Sequence, residues 1–261
     1  MGVLNITPDS FSDGGRYLRP DAAVAQAQAM AAAGADIIDI GGESTRPGAP
    51  AVDEAEEIAR VVPVIEALAT RVPSLLSIDT SKPAVMRAAV AAGAGMINDV
   101  RALRCAAAIE TASGLGVPVC LMHMQGEPAT MQAAPAYDDV VTEVTGFLLA
   151  RVAACEAAGM PRNRLLIDPG FGFGKDLSHN LCLLRALPAL AGLGLPLLVG
   201  LSRKAMIGAL TGRPVDDRLH GSVALAVYAA LQGAAVIRVH DVGPTVEALR
   251  VIRAVKGSGG Q

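Results

Sequence analysis

The repeated alternation of short apolar runs with longer helical segments constrains the fold of this chain more than any other feature. Eight runs rich in aliphatic or β-branched residues predict strands, at residues 3–6, 36–40, 75–78, 96–98, 117–122, 165–168, 197–200 and 236–240. Strict alternation of strands with helices indicates a parallel sheet, and eight repeats are the number that closes a barrel. We therefore predict the α/β class, with a single (β/α)8 TIM barrel.

Helix signals between the runs support the same architecture. The predicted helices cover residues 21–33, 54–71, 83–93, 105–114, 138–158, 178–191, 203–211, 220–232 and 245–256. An open, doubly wound sheet is the alternative, but it does not need eight near-equal units, and no GxGxxG motif follows the first strand. We expect the barrel to span residues 1–256 and the tail, residues 257–261, to be disordered.

Composition narrows the classes of function. The chain has 261 residues, which suits one barrel, and 52% of them are hydrophobic, which is enough for a large core. The formal net charge of −3 predicts no nucleic-acid and no membrane partner. The four cysteines lack metal-binding spacing, and no apolar run reaches the roughly 18 residues of a membrane helix. We therefore expect a cytoplasmic protein with reduced thiols.

Polar residues stand at the ends of the predicted strands, where barrel enzymes place their active sites. Some of them need be no more than helix caps, which is a sufficient explanation for Ser81 and Asp99. It does not explain the whole set, because an unpaired buried polar group costs about 1–3 kcal/mol. The strand ends carry Asn5, Asp39, Asp79, Asn98, Asp99, His123, Asp168, Ser202, Lys204, Arg238 and His240.

Two chemical subsets appear among the polar residues at the strand ends and in the loops that follow them. An acidic set, suited to a ligand with ring N–H and amino donors, comprises Asp79, Asn98 and Asp168. A basic set, suited to phosphate or diphosphate oxygens, comprises Arg46, Lys204, Arg238 and His240. We predict one pocket with an acidic wall and a cationic wall, which would bind a heterocycle that carries a diphosphate. We interpret His123, by contrast, as a histidine whose hydrogen bonds are satisfied within the protein.

Two long loops carry a family resemblance. Residues 5–15, NITPDSFSDGG, resemble the first signature loop of the dihydropteroate synthases, and residues 39–48, DIGGESTRPG, resemble the second. Shorter motifs of that family match at residues 77–80, 97–99, 168–175, 202–204 and 237–241, so the resemblance spans essentially the whole chain. The family usually has a short segment before the first strand, whereas this sequence starts at the strand itself.

The resemblance implies a reaction and a set of site residues. The reaction condenses 6-hydroxymethyl-7,8-dihydropterin diphosphate with 4-aminobenzoate, giving 7,8-dihydropteroate and diphosphate in folate biosynthesis. The pterin would contact Asp79, Asn98, Met122, Asp168, Phe171 and Lys204. The diphosphate would contact Asn5, Thr45, Arg46, Arg238 and His240, with Asn5 also a ligand of Mg²⁺. The 4-aminobenzoate would lie against Phe11, Pro47, Ser202 and Lys204.

The implied mechanism needs no protein nucleophile, because diphosphate leaves before the amine attacks. Lys204, Arg238 and His240 would meet the developing charge on the substrate, and Asp13 would offset the pterin cation once the first loop closes. The resemblance also implies a homodimer and a sulfonamide target.

Two other functions are open to a barrel of this kind. A pterin-dependent methyltransferase domain would share the acidic wall, but it would not need two phosphate-handling loops or the pair Arg238 and His240. A catalytically silent barrel usually has lost its polar strand ends, and here the family positions are filled.

Overall fold

The structure, a computed structural model, describes residues 1–6, 20–44, 49, 51–127 and 130–257. Eight strands lie in this part of the chain, each within two residues of its predicted position. They are β1 Gly2–Asn5, β2 Ile37–Gly41, β3 Leu75–Asp79, β4 Met96–Asp99, β5 Val119–Met122, β6 Leu165–Asp168, β7 Leu198–Gly200 and β8 Val236–Arg238. Residues 7–15 of the first signature loop, residues 45–48 of the second and the tail from residue 258 lie outside the described residues.

Ten α-helices follow the strands in the same described ranges. They are α1 Pro20–Ala32, α2 Glu54–Ala69, α3 Pro83–Ala92, α4 Ala108–Leu115, α5 Val140–Ala157, α6 Leu177–Arg185, α7 Leu187–Ala191, α8 Ala205–Thr211, α9 Leu219–Leu231 and α10 Val242–Lys256. The helix predicted over 178–191 is two helices, because Pro188 cannot continue a helix and instead occupies the first turn of α7. Helix α10 begins three residues before its predicted start, with Pro244 in its first turn.

The strands form a ring of parallel neighbours. One sheet runs in the order β1-β2-β3-β4-β5-β6, and β7 pairs with β8 in a second. Single bridges join the two sheets at both junctions, Ile167 with Leu197 and Gly2 with Val239. At the second junction the Val3 N–H donates to the Val239 carbonyl at 2.9 Å. The predicted (β/α)8 barrel is therefore confirmed.

Side chains alternate between the two faces of this ring. Leu4, Ile38 and Ile78 are completely buried and pack under the surrounding helices, in the main hydrophobic cluster. The opposite face lines the interior, where Met96, Cys120 and Leu198 make a separate small cluster. Towards the carboxyl ends of the strands the interior positions become polar. Apolar side chains thus fill the barrel interior at the amino ends of the strands, and polar side chains line it at the carboxyl ends, where barrel enzymes have their active sites.

A side-chain hydrogen bond explains where helix α2 begins. The Asp53 carboxylate accepts the Glu56 N–H at 2.8 Å, which caps the amino end of α2. All four cysteines are free thiols, as expected. Within the described ranges no helix combines the length and the apolar composition that a bilayer crossing requires.

Candidate active site

A pocket of about 740 Å³ opens at the carboxyl ends of the barrel strands. It gathers every predicted site residue that the structure describes, namely Asn5, Asp79, Asn98, Met122, Asp168, Phe171, Ser202, Lys204, Arg238 and His240. The other five predicted residues, Phe11, Asp13, Thr45, Arg46 and Pro47, lie outside the described residues. The sequence pattern therefore located the pocket from strand ends that are far apart in the chain.

Arg238 lies between two carboxylates at the floor of this pocket. Its Nε donates to Asp39 Oδ2 at 2.6 Å and its Nη2 donates to Asp79 Oδ2 at 2.7 Å. Burial acts to lower the pKa of Arg238, but Asp39 and Asp79 outweigh it, and the pKa lies above its ordinary value. Burial raises the pKa of Asp79 to about 7 despite the neighbouring guanidinium. The acidic and cationic residues therefore do not form two separate walls, because Arg238 belongs to both.

Asn98 belongs to the same network. Its Nδ2 donates to Asp39 Oδ2 at 2.9 Å, so one carboxylate oxygen receives both Asn98 and Arg238. Asn98 is buried at the end of β4, and this hydrogen bond orients its amide group. The role of Asp39 in holding the floor together was not predicted. The signal available was a charged residue in an otherwise aliphatic run, at an interior position of β2.

The opposite side of the floor is built around Asp168 and Lys204. Asp168 Oδ1 accepts the Gly170 N–H at 2.7 Å, and burial raises the pKa of Asp168 to about 6. Burial lowers the pKa of Lys204 to about 8, although Asp168 acts in the other direction. Lys204 Nζ lies 4.2 Å from the centre of the Phe173 ring, a cation–π contact that the sequence reasoning did not find.

A second lysine holds the glycine-rich turn after β6. Lys175 Nζ donates to the carbonyls of Gly170 and Phe173, both at 3.0 Å, and lies 2.9 Å from His123 Nδ1. Burial lowers the pKa of Lys175 to about 7. Burial and Lys175 together lower the pKa of His123 to about 3. His123 is therefore a neutral, internally satisfied histidine, which confirms its interpretation.

The same turn needs glycine for steric reasons. Gly170 has φ +67°, and a Cβ placed on it would lie 1.9 Å from the His123 carbonyl oxygen. The backbone at His123 therefore lies too close to Gly170 for any side chain at this position.

The loop after β7 presents Lys204 from a strained backbone. Arg203 has φ 60°, in the left-handed region, and its guanidinium makes two hydrogen bonds to the Asp241 carboxylate at 2.6 and 3.0 Å. Ser222 Oγ accepts the Arg203 N–H at 2.9 Å, and Arg218 Nη1 donates to the Arg203 carbonyl at 3.1 Å. Contacts from α9, from the residue before it and from the β8 end thus hold this conformation.

His240 and Ser202 meet beside Arg238. Ser202 Oγ accepts the His240 N–H at 3.2 Å and lies 3.1 Å from His240 Nδ1. If the hydroxyl donates to Nδ1, the ring proton is on Nε2 and faces away from Ser202. Burial and Arg238 lower the pKa of His240 to about 4. In the free protein His240 is therefore a neutral hydrogen-bond donor at pH 7, rather than the cation that its place in the basic set predicts.

Known proteins resemble the chain along nearly its whole length. Residues 1–240 match the family described as pterin binding enzyme. A dihydropteroate synthase of Escherichia coli (strain K12) is 56% identical over 254 residues, which cover 97% of this chain and 90% of the relative.

Several solved structures have nearly the same fold as this chain. The dihydropteroate synthase of Yersinia pestis with a sulfonamide drug complex has a TM-score of 0.94 and 55% identity, over 98% of this chain and 94% of its own. The Xanthomonas albilineans dihydropteroate synthase with 4-aminobenzoic acid has a TM-score of 0.93 and 57% identity, over 98% and 92%. The same enzyme in complex with 7,8-dihydropteroate gives 0.90 and 54%, over 98% and 92%.

Proposed function

The chain belongs to the family of pterin-binding enzymes and, within it, to the dihydropteroate synthases, and we propose that it joins a dihydropterin diphosphate to 4-aminobenzoate. It is a transferase of folate biosynthesis. The products are 7,8-dihydropteroate and diphosphate. The observation that carries the proposal is the convergence of Asp79, Asn98, Asp168, Lys204 and Arg238 on one pocket at the carboxyl ends of five different strands or the loops that follow them.

The acidic residues supply the chemistry that a pterin ring requires. A pterin presents ring N–H and amino donors, and a buried carboxylate such as Asp168 accepts two such donors well. Asn98 and Lys204 add a fixed amide and a cation to the lining of the same pocket. Met122 is buried in a methionine-rich apolar cluster beside the pocket, and Phe171 is almost completely buried. This combination of flat apolar surface and few polar groups suits a planar heterocycle.

The leaving group would be held on the other side of Arg238. An arginine binds phosphate oxygens in a planar fork, and among the described residues only two of its five N–H groups are engaged. His240 would donate from its ring and Asn5 from its amide group, at the ends of β8 and β1. Thr45 and Arg46 would complete this part of the site.

Magnesium is proposed as a partner of the diphosphate. In the described ranges no three His, Cys, Asp or Glu side chains gather into a metal site. Mg²⁺ is often held by one or two protein oxygens together with substrate phosphates and water, and the half-buried Asn5 amide oxygen fits such a site. When bound, the ion would neutralise charge on the departing diphosphate.

The proposed reaction breaks the C–O bond between the pterin methylene and the diphosphate, and the electron pair leaves with the diphosphate. The 4-aminobenzoate nitrogen then forms the new C–N bond and loses a proton. Arg238 and His240 would stabilise the leaving group, and removing one such contact typically costs about 3–4 kcal/mol of transition-state stabilisation. Phe11, Pro47 and Ser202 would position the amine, and Asp13 would face the developing cation.

A diphosphate-release assay tests this function. The purified protein, the dihydropterin diphosphate and Mg²⁺ are mixed with and without 4-aminobenzoate. We expect stoichiometric release of diphosphate that depends on 4-aminobenzoate, together with formation of dihydropteroate. Asp168→Asn should weaken pterin binding. Absence of diphosphate release, combined with methyl transfer from a methylated pterin to a corrinoid, would instead identify a methyltransferase.

A homodimer is the proposed assembly. Helices α9 and α10 share an apolar groove of about 600 Å³ that Val223, Val227, Val251 and Ile252 line. Val251 on this groove is 57% exposed. A second copy of the same face would cover it. Sedimentation should show a dimer that Val251→Asp dissociates, whereas Leu210→Asp, at an equally exposed site on α8, should leave it intact.

The proposed location is the cytoplasm. Four free thiols, two of them buried, are the state expected in a reducing compartment. Fractionation of the source cells would test this placement.

A further inference from the structure

Asp39 is a completely buried carboxylate beneath the floor of the pocket. It lies in the middle of β2, where Val3 of β1 and Ser77 of β3 are its neighbours in register. Its relative exposure is 0%, and it is not among the residues that line the pocket. A residue in this place needs no charge in order to pack, and the neighbouring interior position on β3 is a serine. The charge of Asp39 therefore requires an explanation.

The hydrogen bonds of Asp39 are concentrated on one of its two oxygens. Oδ2 receives both Asn98 Nδ2 and Arg238 Nε, while Oδ1 is buried with no hydrogen-bond partner among the described residues. An unsatisfied buried carboxylate oxygen is unfavourable in itself. Geometry alone would be served equally well by a neutral amide, whose single oxygen could accept the same two donors. What the carboxylate adds is its negative charge next to Arg238.

That charge acts on a guanidinium that already has a second carboxyl partner. Asp79 Oδ2 accepts from Nη2 of Arg238, so the guanidinium is paired with two carboxyl groups at the floor of the pocket. In the proposed function the same guanidinium binds diphosphate and must release it after each turnover. A cation that is fully neutralised from below attracts an anion above it less strongly.

We propose that Asp39 is a positioning residue that holds Arg238 and Asn98 in register and, through its charge, limits the affinity of Arg238 for diphosphate. This inference rests on the proposed function. It assigns to Asp39 two separable effects, one geometric and one electrostatic. Asp39 contacts no substrate and acts only through the two residues it binds.

Asp39→Asn separates the two effects, because the amide keeps both hydrogen bonds and removes the charge. We expect inorganic diphosphate to bind this variant about tenfold more tightly by calorimetry. Both kcat and KM for the dihydropterin diphosphate should fall, since the anion binds better and leaves more slowly. A purely structural role would leave diphosphate affinity unchanged or weaken it, and either result would overturn the proposal.

Asp99→Asn is the matched control. Asp99 is an equally buried aspartate at the end of β4, but its partners are Ser81 and the N–H groups of Arg101 and Leu103 rather than a pocket cation. We expect this variant to lose stability without any gain in diphosphate affinity. A similar gain in both variants would show that the loss of any buried negative charge is sufficient, which would contradict the specific role of Asp39.

The unaltered protein provides a second measurement that does not depend on the folding of a variant. The Arg238 Nε–H proton faces a buried carboxylate, so this proton should exchange slowly with water. The chemical shift of its NMR signal should not change when inorganic diphosphate is added. Fast exchange of that proton would overturn the inference. If the unaltered protein binds no diphosphate at all, the proposed function fails as well. Binding without tightening in Asp39→Asn rejects the inference alone.

Discussion

Two cations at the pocket floor, Arg238 and Lys204, are held in opposite ways. Arg238 makes hydrogen-bonded ion pairs with Asp39 and Asp79, and its pKa is raised. Lys204 has no such carboxylate pair in the described part of the chain, lies over the Phe173 ring, and has a pKa lowered to about 8. Arg238 is thus part of the framework of the barrel, whereas Lys204 has no hydrogen-bonded carboxylate among the described residues and keeps a charge that a ligand can meet.

The strongest test of this comparison is Arg238→Met. The variant leaves Asp39 and Asp79 buried without their cation, and breaking a buried pair in this way typically costs about 3–5 kcal/mol of unfolding free energy. Urea denaturation at pH 7 measures the loss. The triple variant with Asp39→Asn and Asp79→Asn should recover much of it, because the uncompensated charges are gone. A loss below about 1 kcal/mol would mean that Arg238 is not part of the framework.

On the side of the pocket floor that Asp168 and Lys204 form, we expect stability to depend on the close packing of the backbone rather than on ion pairs. Gly170→Ala tests this expectation. The new methyl group would meet the His123 carbonyl, and the left-handed φ adds strain, so we expect a loss of about 2–5 kcal/mol. Gly194→Ala is the matched control, because Gly194 has φ +75° with nothing within 4 Å of its Cβ position. This control should lose only the strain, about 1–2 kcal/mol. Equal losses in both variants would show that the His123 contact is unimportant.

The barrel and its polar strand ends could be predicted from the sequence, but the hydrogen bonds and ion pairs among those polar residues could not. Strand and helix periods are local properties, and glycine and proline mark the ends of elements, so eight units could be counted directly. That Arg238 reaches across to Asp39 and Asp79 depends on barrel closure, over separations of 199 and 159 residues. Lys175 was missed as the support of the turn after β6 because its partners are carbonyl groups, which every residue has and which no sequence pattern marks.

The raised pKa values of the acidic residues predict a pH dependence with opposite signs for binding and for stability. Burial raises the pKa of Asp168 to about 6, and a pterin with N–H donors needs the ionised form. Between pH 7 and pH 5 the affinity for a pterin should therefore fall about tenfold, with protons released on binding near pH 6. Calorimetry in buffers of different ionisation enthalpy measures both quantities.

The stability of the free protein should move the other way over the same range. A carboxyl group whose pKa is higher in the folded than in the unfolded protein binds more protons when folded, so its contribution to stability falls as pH rises from about 4 to 7. Asp168→Asn should remove part of both trends. If pterin affinity were independent of pH in the unaltered protein, the carboxylate of Asp168 would not be the acceptor.

The smallest expected effect, and the one that completes the comparison with Arg238, is that of Lys204→Met on stability. Methionine has a similar length and still packs on the Phe173 ring, and among the residues that the structure describes no hydrogen-bonded carboxylate is left behind. The unfolding free energy at pH 7 should therefore change by less than about 1 kcal/mol. Because the pKa of Lys204 is lower in the folded protein, the unfolded chain binds more protons above pH 8, and this residue's contribution to stability rises with pH there. Denaturation at pH 7, 8.5 and 10 should show that rise in the unaltered protein and a reduced rise in the variant. A loss at pH 7 as large as that of Arg238→Met would mean that both cations are framework residues and that the distinction between them is wrong.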